Sequence, residues 1–212
     1  MCVPLCLGAL VPSCFKLYYF HCRFYNKKIT NSINYYMSAA ITIRKINSLD
    51  AALLANTALT AYCDHYLHLW FDKGEWYIKK SFTKEVLQLE LEDSNNLFYI
   101  AYEGDIPAGF LKLRINAILE TDNTKNGLEL ERIYLTKAAS RKGIGKQLME
   151  LSLSIAKQNK KEIIWLKAMD SSIGPIAFYH QMGFELCGVT RLSFEQMKEE
   201  YRGMVIMKKK LP

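Results

Sequence analysis

Beyond Met37 the chain is poor in cysteine: Cys2, Cys6, Cys14 and Cys22 crowd the start, and only Cys63 and Cys187 follow. Two cysteines without a local motif fit a reducing compartment, and the expected location is cytoplasmic. Acidic residues are missing from the first 37 positions, which carry Lys16, Arg23, Lys27 and Lys28. Four of the 28 basic residues thus sit where none of the 21 acidic ones do, and the net charge of +7 falls to an excess of three over the remainder. That is an ordinary soluble surface, with one basic run at Lys208 to Lys210, and nucleic-acid binding is not indicated. Histidine is scarce as well. Asp64-His65 with His68 gives ligand types near one helical turn apart, but no further cluster joins them, and no metal is expected. The apolar run at the start is too short to span a bilayer. It lacks the basic n-region and small-residue cleavage site of a secretory signal, and Pro4 and Pro12 interrupt it, so no membrane partner is expected. Residues 1–36 therefore read as an extension outside the working protein, with Met37 opening a natural first strand; a membrane-interacting or targeting leader is the other reading.

What remains, 37–212, suits one globular domain with a full core, since half of the chain is apolar. Ile41 to Ile46 alternates as a strand, and Ser48 and Asp50 offer caps ahead of an apolar helix over Ala51 to Trp70. A second helical stretch follows Ser81 or Thr83. Trp70, Trp76, Tyr77 and Phe82 make the connection between the two rich in rings, either as core or as a substrate wall. Phe98 to Tyr102 and Ala108 to Ile115 form a hairpin over Glu103-Gly104-Asp105. A polar loop at Thr121 to Gly127 leads to a strand over Leu128 to Leu135, a helix from Gly145, a buried strand over Ile163 to Met169, a short helix around Ala177 to Gln181, and two final strands. The order gives a mixed α/β fold without internal repeats.

The stretch Leu128 to Met149 runs strand, glycine-bearing turn and helix without a gap. In the strand, Leu128 and Leu130 are apolar at even positions but Ile133 and Leu135 at odd ones. The buried phase shifts near Glu131 and Arg132, through a β-bulge or because both faces are buried. The turn Ser140-Arg141-Lys142-Gly143-Ile144-Gly145 gives the backbone freedom to bend, and the unpaired N–H groups of a helix start can hold a phosphate. It is not a Walker loop, because Ser140 and Gln147 stand where Gly and Ser or Thr are needed. Nor is it a dinucleotide fingerprint, whose third glycine is replaced by Leu148.

These features together carry a resemblance. Arg141-Lys142-Gly143-Ile144-Gly145 after a strand, Trp165-Leu166 in a buried strand, Ala177-Phe178-Tyr179, and Gly183-Phe184 are similar to the GNAT superfamily of acyl-CoA-dependent N-acetyltransferases, over about Ile41 to Leu211. ELERIYL and the ending at Met207-Lys208 most resemble bacterial polyamine-type acetyltransferases. The resemblance implies a mostly antiparallel sheet of six or seven strands, splayed at the central strand and flanked by about four helices. It also implies acetyl-CoA as cosubstrate, a small-molecule primary amine as acceptor, polyamine-like among the candidates, and compatibility with a homodimer. Ser140 departs from the family's usual Gln or Arg, and Ser172 from its usual Asn.

By the same resemblance the pyrophosphate rests on the backbone of Ser140, Arg141, Lys142, Gly143, Ile144, Gly145 and Lys146, with Arg141 and Lys142 side chains neutralising phosphates. Pantetheine pairs along Ile133, Tyr134 and Leu135, and Ser172 lies beside its arm. Tyr179 matches the family's general acid, and an ordinary phenol suits the protonation of a departing thiolate. Glu129 and Glu131 share one face of the strand, and either can take the amine proton. Direct attack through a tetrahedral intermediate is the expected route. A non-catalytic acyl-CoA-binding module and a protein N-acetyltransferase are the alternatives.

Overall fold

The computed structural model describes residues 39–122 and 125–212; the expected extension 1–36 lies outside the described residues. Seven strands form one sheet in the order β1-β2-β3-β4-β5-β7-β6. They are β1 (Ile41–Lys45), β2 (Asn96–Glu103), β3 (Ile106–Arg114), β4 (Gly127–Leu135), β5 (Ile163–Met169), β6 (Glu185–Arg191) and β7 (Gly203–Lys210). All neighbours pair antiparallel except β4 and β5. The helices are α1 (Ala51–Cys63), the short α2 (Glu75–Ser81), α3 (Lys84–Glu92), α4 (Ile144–Gln158) and α5 (Ile173–Gln181). The expected layout is therefore the observed one: a single mixed α/β domain on a mostly antiparallel sheet. Among the described residues no helix is long and apolar enough to cross a membrane.

Local sequence explains the element ends. Thr83 caps α3 by accepting a hydrogen bond from the Val86 N–H. The helix expected to run to Trp70 stops at Cys63, where Asp64 turns its carboxylate to the Lys137 N–H, 2.7 Å away, on another part of the fold. The chain then makes a 3-10 turn at Leu67–Leu69, and Trp70 is extended and bridges Met197. Within the ring-rich connection lies α2, begun by Gly74 at φ +84° and by Asp72, whose carboxylate accepts from the Gly74 and Trp76 N–H groups.

Each sheet face has its own core. On one, α4 buries Ile144, Leu148, Met149 and Ile155 against Leu128, Leu130, Ile164 and Leu166. Each such side chain contributes on the order of 1.5–3 kcal/mol by leaving water. On the other, α1 and α3 cover Phe98, Ile100 and Phe110.

Strand β4 has two irregularities. Lys112 stands opposite Arg132 and Leu113 opposite Leu130, which leaves Glu131 as an extra residue, a β-bulge. The phase shift in the apolar pattern therefore has a bulge as its cause. In addition, β4 pairs with β5 only over Gly127 to Leu130, after which β5 continues with β7 alone. Ile133, Tyr134 and Leu135 thus have a strand partner on the β3 side and none on the β5 side.

Candidate active site

Where β4 parts from β5, a cavity of about 290 Å³ opens. Glu129, Glu131, Ile133, Tyr134, Ser172 and Tyr179 all line it. The bulge keeps Glu129 and Glu131 close enough to share Arg114, whose guanidinium stands 3.3 Å from Glu129 and 3.9 Å from Glu131. Their surroundings otherwise differ. Glu131 receives a hydrogen bond from Lys112 Nζ at 2.8 Å and lies 3.3 Å from Arg132, so its charge is well compensated. Glu129 is 7% exposed. Burial, followed by the neighbouring Glu131 charge, raises its pKa above the ordinary carboxylate value, against the opposing pull of Arg114 and Lys167.

Lys112, itself buried, and Arg132 also meet Glu90 of α3. Arg132 donates to both oxygens of Glu90 at 2.9 Å. This cluster fixes the bulge against a helix, and nothing in the local sequence announced it, because Glu90 and Arg132 are 42 positions apart.

Tyr179, on α5, is buried and packs on Phe178 and Phe184, with ring centroids 5.6 and 6.0 Å away. Burial, then the adjacent Tyr66, pushes its phenol above the ordinary value. The group therefore keeps its proton throughout the physiological range, and complete transfer of that proton is harder than for an exposed phenol. Ser172 begins α5, its N–H bonded to the Met169 carbonyl at 2.9 Å.

The expected phosphate turn lies beyond Leu135 and is separate from the cavity lining. Gly143 is the N-cap of α4 at φ +81°, with no side-chain cap, and a Cβ there would meet no other atom within 4 Å. Arg141 is also left-handed, at φ +64°. A Cβ on Gly145 would touch only Leu135, at 3.6 Å. Open space over a helix start suits an anion bound by backbone N–H groups. Several side chains are otherwise engaged: Lys142 donates to both Glu103 oxygens at 2.7 Å, Lys146 lies 3.9 Å from Glu150, and the Ser140 hydroxyl bonds the Thr136 carbonyl at 3.3 Å. Ile144 is buried in the core beneath.

Part of the cavity lining is aromatic. Of the ring-rich connection, Trp70 and Tyr77 line it, while Phe82 is buried in the core. Tyr62, Tyr66 and Phe194 complete the wall. Sequence reading missed these three. The available signal was the four-residue spacing of Tyr62, in the last turn of α1, and Tyr66, in the turn that follows it. The loop after β6 roofs the chamber: the Phe71 N–H donates to the Gln196 carbonyl and the Lys198 N–H to the Leu69 carbonyl, at 3.1 and 2.9 Å.

Known proteins share this architecture. The family model for the acetyltransferase (GNAT) family matches residues 56–184. An uncharacterized N-acetyltransferase in the pepI 3′ region of Lactobacillus delbrueckii subsp. lactis is 31% identical over 108 residues, half of this chain and 62% of that protein, so less than two thirds of its length is spanned. The spermine/spermidine N(1)-acetyltransferase of Bacillus subtilis (strain 168) is 27% identical over 104 residues, which are 46% of this chain and 68% of that protein. Among solved structures, the PaiA N-acetyltransferase from Thermoplasma acidophilum in complex with coenzyme A superposes with a TM-score of 0.64 at 25% identity, covering 81% of this chain and 99% of that one. The bulged, splayed strand and the match over most of the domain agree: the chain belongs to the GNAT family of N-acetyltransferases.

Proposed function

We propose that the protein transfers the acetyl group of acetyl-CoA to the primary amine of a small molecule. The observation that carries this reading is that Glu129 and Tyr179 line one cavity at the point where β4 leaves β5. The coenzyme A bound to the Thermoplasma relative supports the choice of cosubstrate. The unpaired side of Ile133 to Leu135 offers an edge to an amide-bearing arm, as an added strand would use it. The start of α4 at Gly143, Ile144 and Gly145 holds the pyrophosphate through its N–H groups, while Arg141, at the same turn, supplies positive charge.

In the reaction the amine nitrogen attacks the thioester carbonyl carbon, forming a C–N bond through a tetrahedral intermediate. Glu129 takes the amine proton; its raised pKa makes it a better base than an ordinary carboxylate, and Glu131 is occupied with Lys112 and Arg132. The C–S bond then breaks. Tyr179 donates a hydrogen bond from its O–H to the departing sulfur; because burial opposes full ionisation of the phenol, it stabilises the coenzyme A thiolate, which takes its proton from solvent, to which Glu129 returns the amine proton. The backbone N–H of Leu135 polarises the carbonyl, and Ser172 lies along the arm. A polyamine-like acceptor is the finer reading, supported by the activity in the name of the Bacillus subtilis relative. A cytoplasmic location accords with the sparse cysteines after Met37, Cys63 and Cys187.

The test is thiol release from acetyl-CoA by the purified chain across a panel of amines. Release that depends on an amine, with one acetylated product per thiol, is expected. Tight acetyl-CoA binding without release under any amine would instead identify an acyl-CoA-binding module.

A further inference from the structure

We infer that Tyr66 is a further catalytic residue: its hydroxyl donates a hydrogen bond to the oxygen of the tetrahedral intermediate and joins the Leu135 N–H in holding that charge. The inference rests on the acetyl-transfer reading and adds a second donor to it.

When the amine adds to the thioester, the carbonyl π pair moves onto oxygen. The negative charge stays there until the C–S bond breaks and the pair returns to re-form the carbonyl. An oxyanion drawn out of bulk water is stabilised most by several fixed donors, each of which keeps its own proton. Leu135 supplies one from the backbone of β4.

Tyr66 meets the conditions for the other. It lines the same cavity as Glu129, Tyr134 and Tyr179. Its hydroxyl has no hydrogen-bond partner among the described residues, and it is not sealed away either, since Asn96 Oδ1 is the one fully buried side-chain polar atom there without a partner. Burial, then the neighbouring Tyr77, raises the phenol, so it stays protonated and acts as a donor, not a base. Tyr66 is also the phenol that stands next to Tyr179, whose proton it helps to retain. Its ring lies 5.2 Å from that of Tyr134, in the stretch of β4 left open for the cosubstrate arm. The other phenols are engaged: the Tyr62 oxygen accepts from the Trp70 indole N–H at 2.6 Å, and the Tyr134 ring is enclosed edge-on by Phe82 and Phe110.

The hydroxyl is also held still, as a preorganised donor must be. The Tyr66 ring stacks on Tyr62 at 5.1 Å and meets the His65 ring at 6.0 Å. Its backbone N–H donates to the Tyr62 carbonyl at 2.9 Å, and its carbonyl accepts from the Leu69 N–H at 3.2 Å. Two residues earlier, the Asp64 carboxylate accepts from the Lys137 N–H at 2.7 Å, just past the end of β4. The turn that carries Tyr66 is thereby fastened to the strand that carries Leu135.

The experiment measures thiol release by the full chain, wild type and Tyr66→Phe, over a range of acetyl-CoA and amine concentrations, with acetyl-CoA affinity by calorimetry and Tm on the same preparations. The variant loses one hydroxyl and keeps the ring in its stack. Because the hydrogen bond strengthens as charge develops, kcat should fall by about 10²-fold while the KM of the amine and the acetyl-CoA affinity stay near wild type. Unchanged kcat, with or without a lowered Tm, would overturn the inference. A raised KM for the amine with kcat intact would overturn it too and make the hydroxyl a contact of the acceptor. If the wild type releases no thiol with any amine, the acetyl-transfer reading fails separately, and the carbon-13 resonance of the thioester carbonyl in bound acetyl-CoA decides the inference. A displacement from the free value that shrinks in Tyr66→Phe supports a donor to that oxygen, and the same displacement in both proteins contradicts it.

Discussion

Arg132 and Glu90 form a two-pronged ion pair, 2.9 Å at each oxygen, that ties the bulged strand to α3. The bulge is thus held by side chains as well as by register. Lys112 stands in the same cluster, 3.1 Å from Glu90 and 2.8 Å from Glu131. Removing Glu90 would leave two largely buried cations sharing Glu131. We expect Glu90→Gln to destabilise the fold by about 2–4 kcal/mol in denaturant unfolding. It should also lower turnover more than cofactor affinity, because the bulge carries the reacting groups and the phosphate turn does not depend on it.

The two carboxylates are predicted to separate in kinetics. Glu129→Gln should lower kcat/KM by about 10²-fold or more, as loss of a general base does, whereas Glu131→Gln should cost less in rate and more in stability. The acidic limb of the wild-type rate profile should lie above the ordinary carboxylate range and vanish in Glu129→Gln. Stability should run the other way. A carboxyl whose pKa is raised in the folded state binds more protons folded than unfolded, so its contribution worsens as pH rises from the unfolded value through the folded one. Relative to Glu129→Gln, the wild type should therefore gain stability on acidification through that window, which unfolding measured at several pH values will check.

At the phosphate turn, Gly145→Val tests the ligand rather than the fold, since a Cβ there finds only Leu135 Cδ1 at ordinary contact distance. We expect at least about a tenfold loss of acetyl-CoA affinity by calorimetry with little change in Tm. Gly143→Val should lose affinity and also cost roughly 1–2 kcal/mol, because its φ of +81° is unfavourable for a branched side chain.

Much of this arrangement was readable in the letters. The apolar pattern of Leu128, Leu130, Ile133 and Leu135 located the phase shift, because burial in a strand has period two and an added residue must reverse it. Ser81 and Thr83 were both readable as the cap of α3, for the local reason that a hydroxyl accepts the hydrogen bond of an unpaired N–H, and Thr83 is the one that does so. The short α2 was not legible: seven residues carry little periodicity, and its start depends on Gly74 and the Asp72 carboxylate. Long-range contacts were hidden as well. Asp64 pairs with the Lys137 N–H across 73 positions, and the tyrosine wall assembles from α1, the turn after it, α2 and β4 only when the sheet has formed.

The most direct measurement of the central claim is turnover and acetyl-CoA binding of Tyr179→Phe beside wild type, with an amine that the wild type acetylates. The substitution removes one hydroxyl and keeps the ring packed on Phe178 and Phe184. If that hydroxyl supports thiolate departure, turnover falls by about 10²-fold or more while cofactor affinity barely changes. Wild-type turnover in the variant, with only a lowered Tm from a lost contact, would contradict the account and remove Tyr179 from the chemistry.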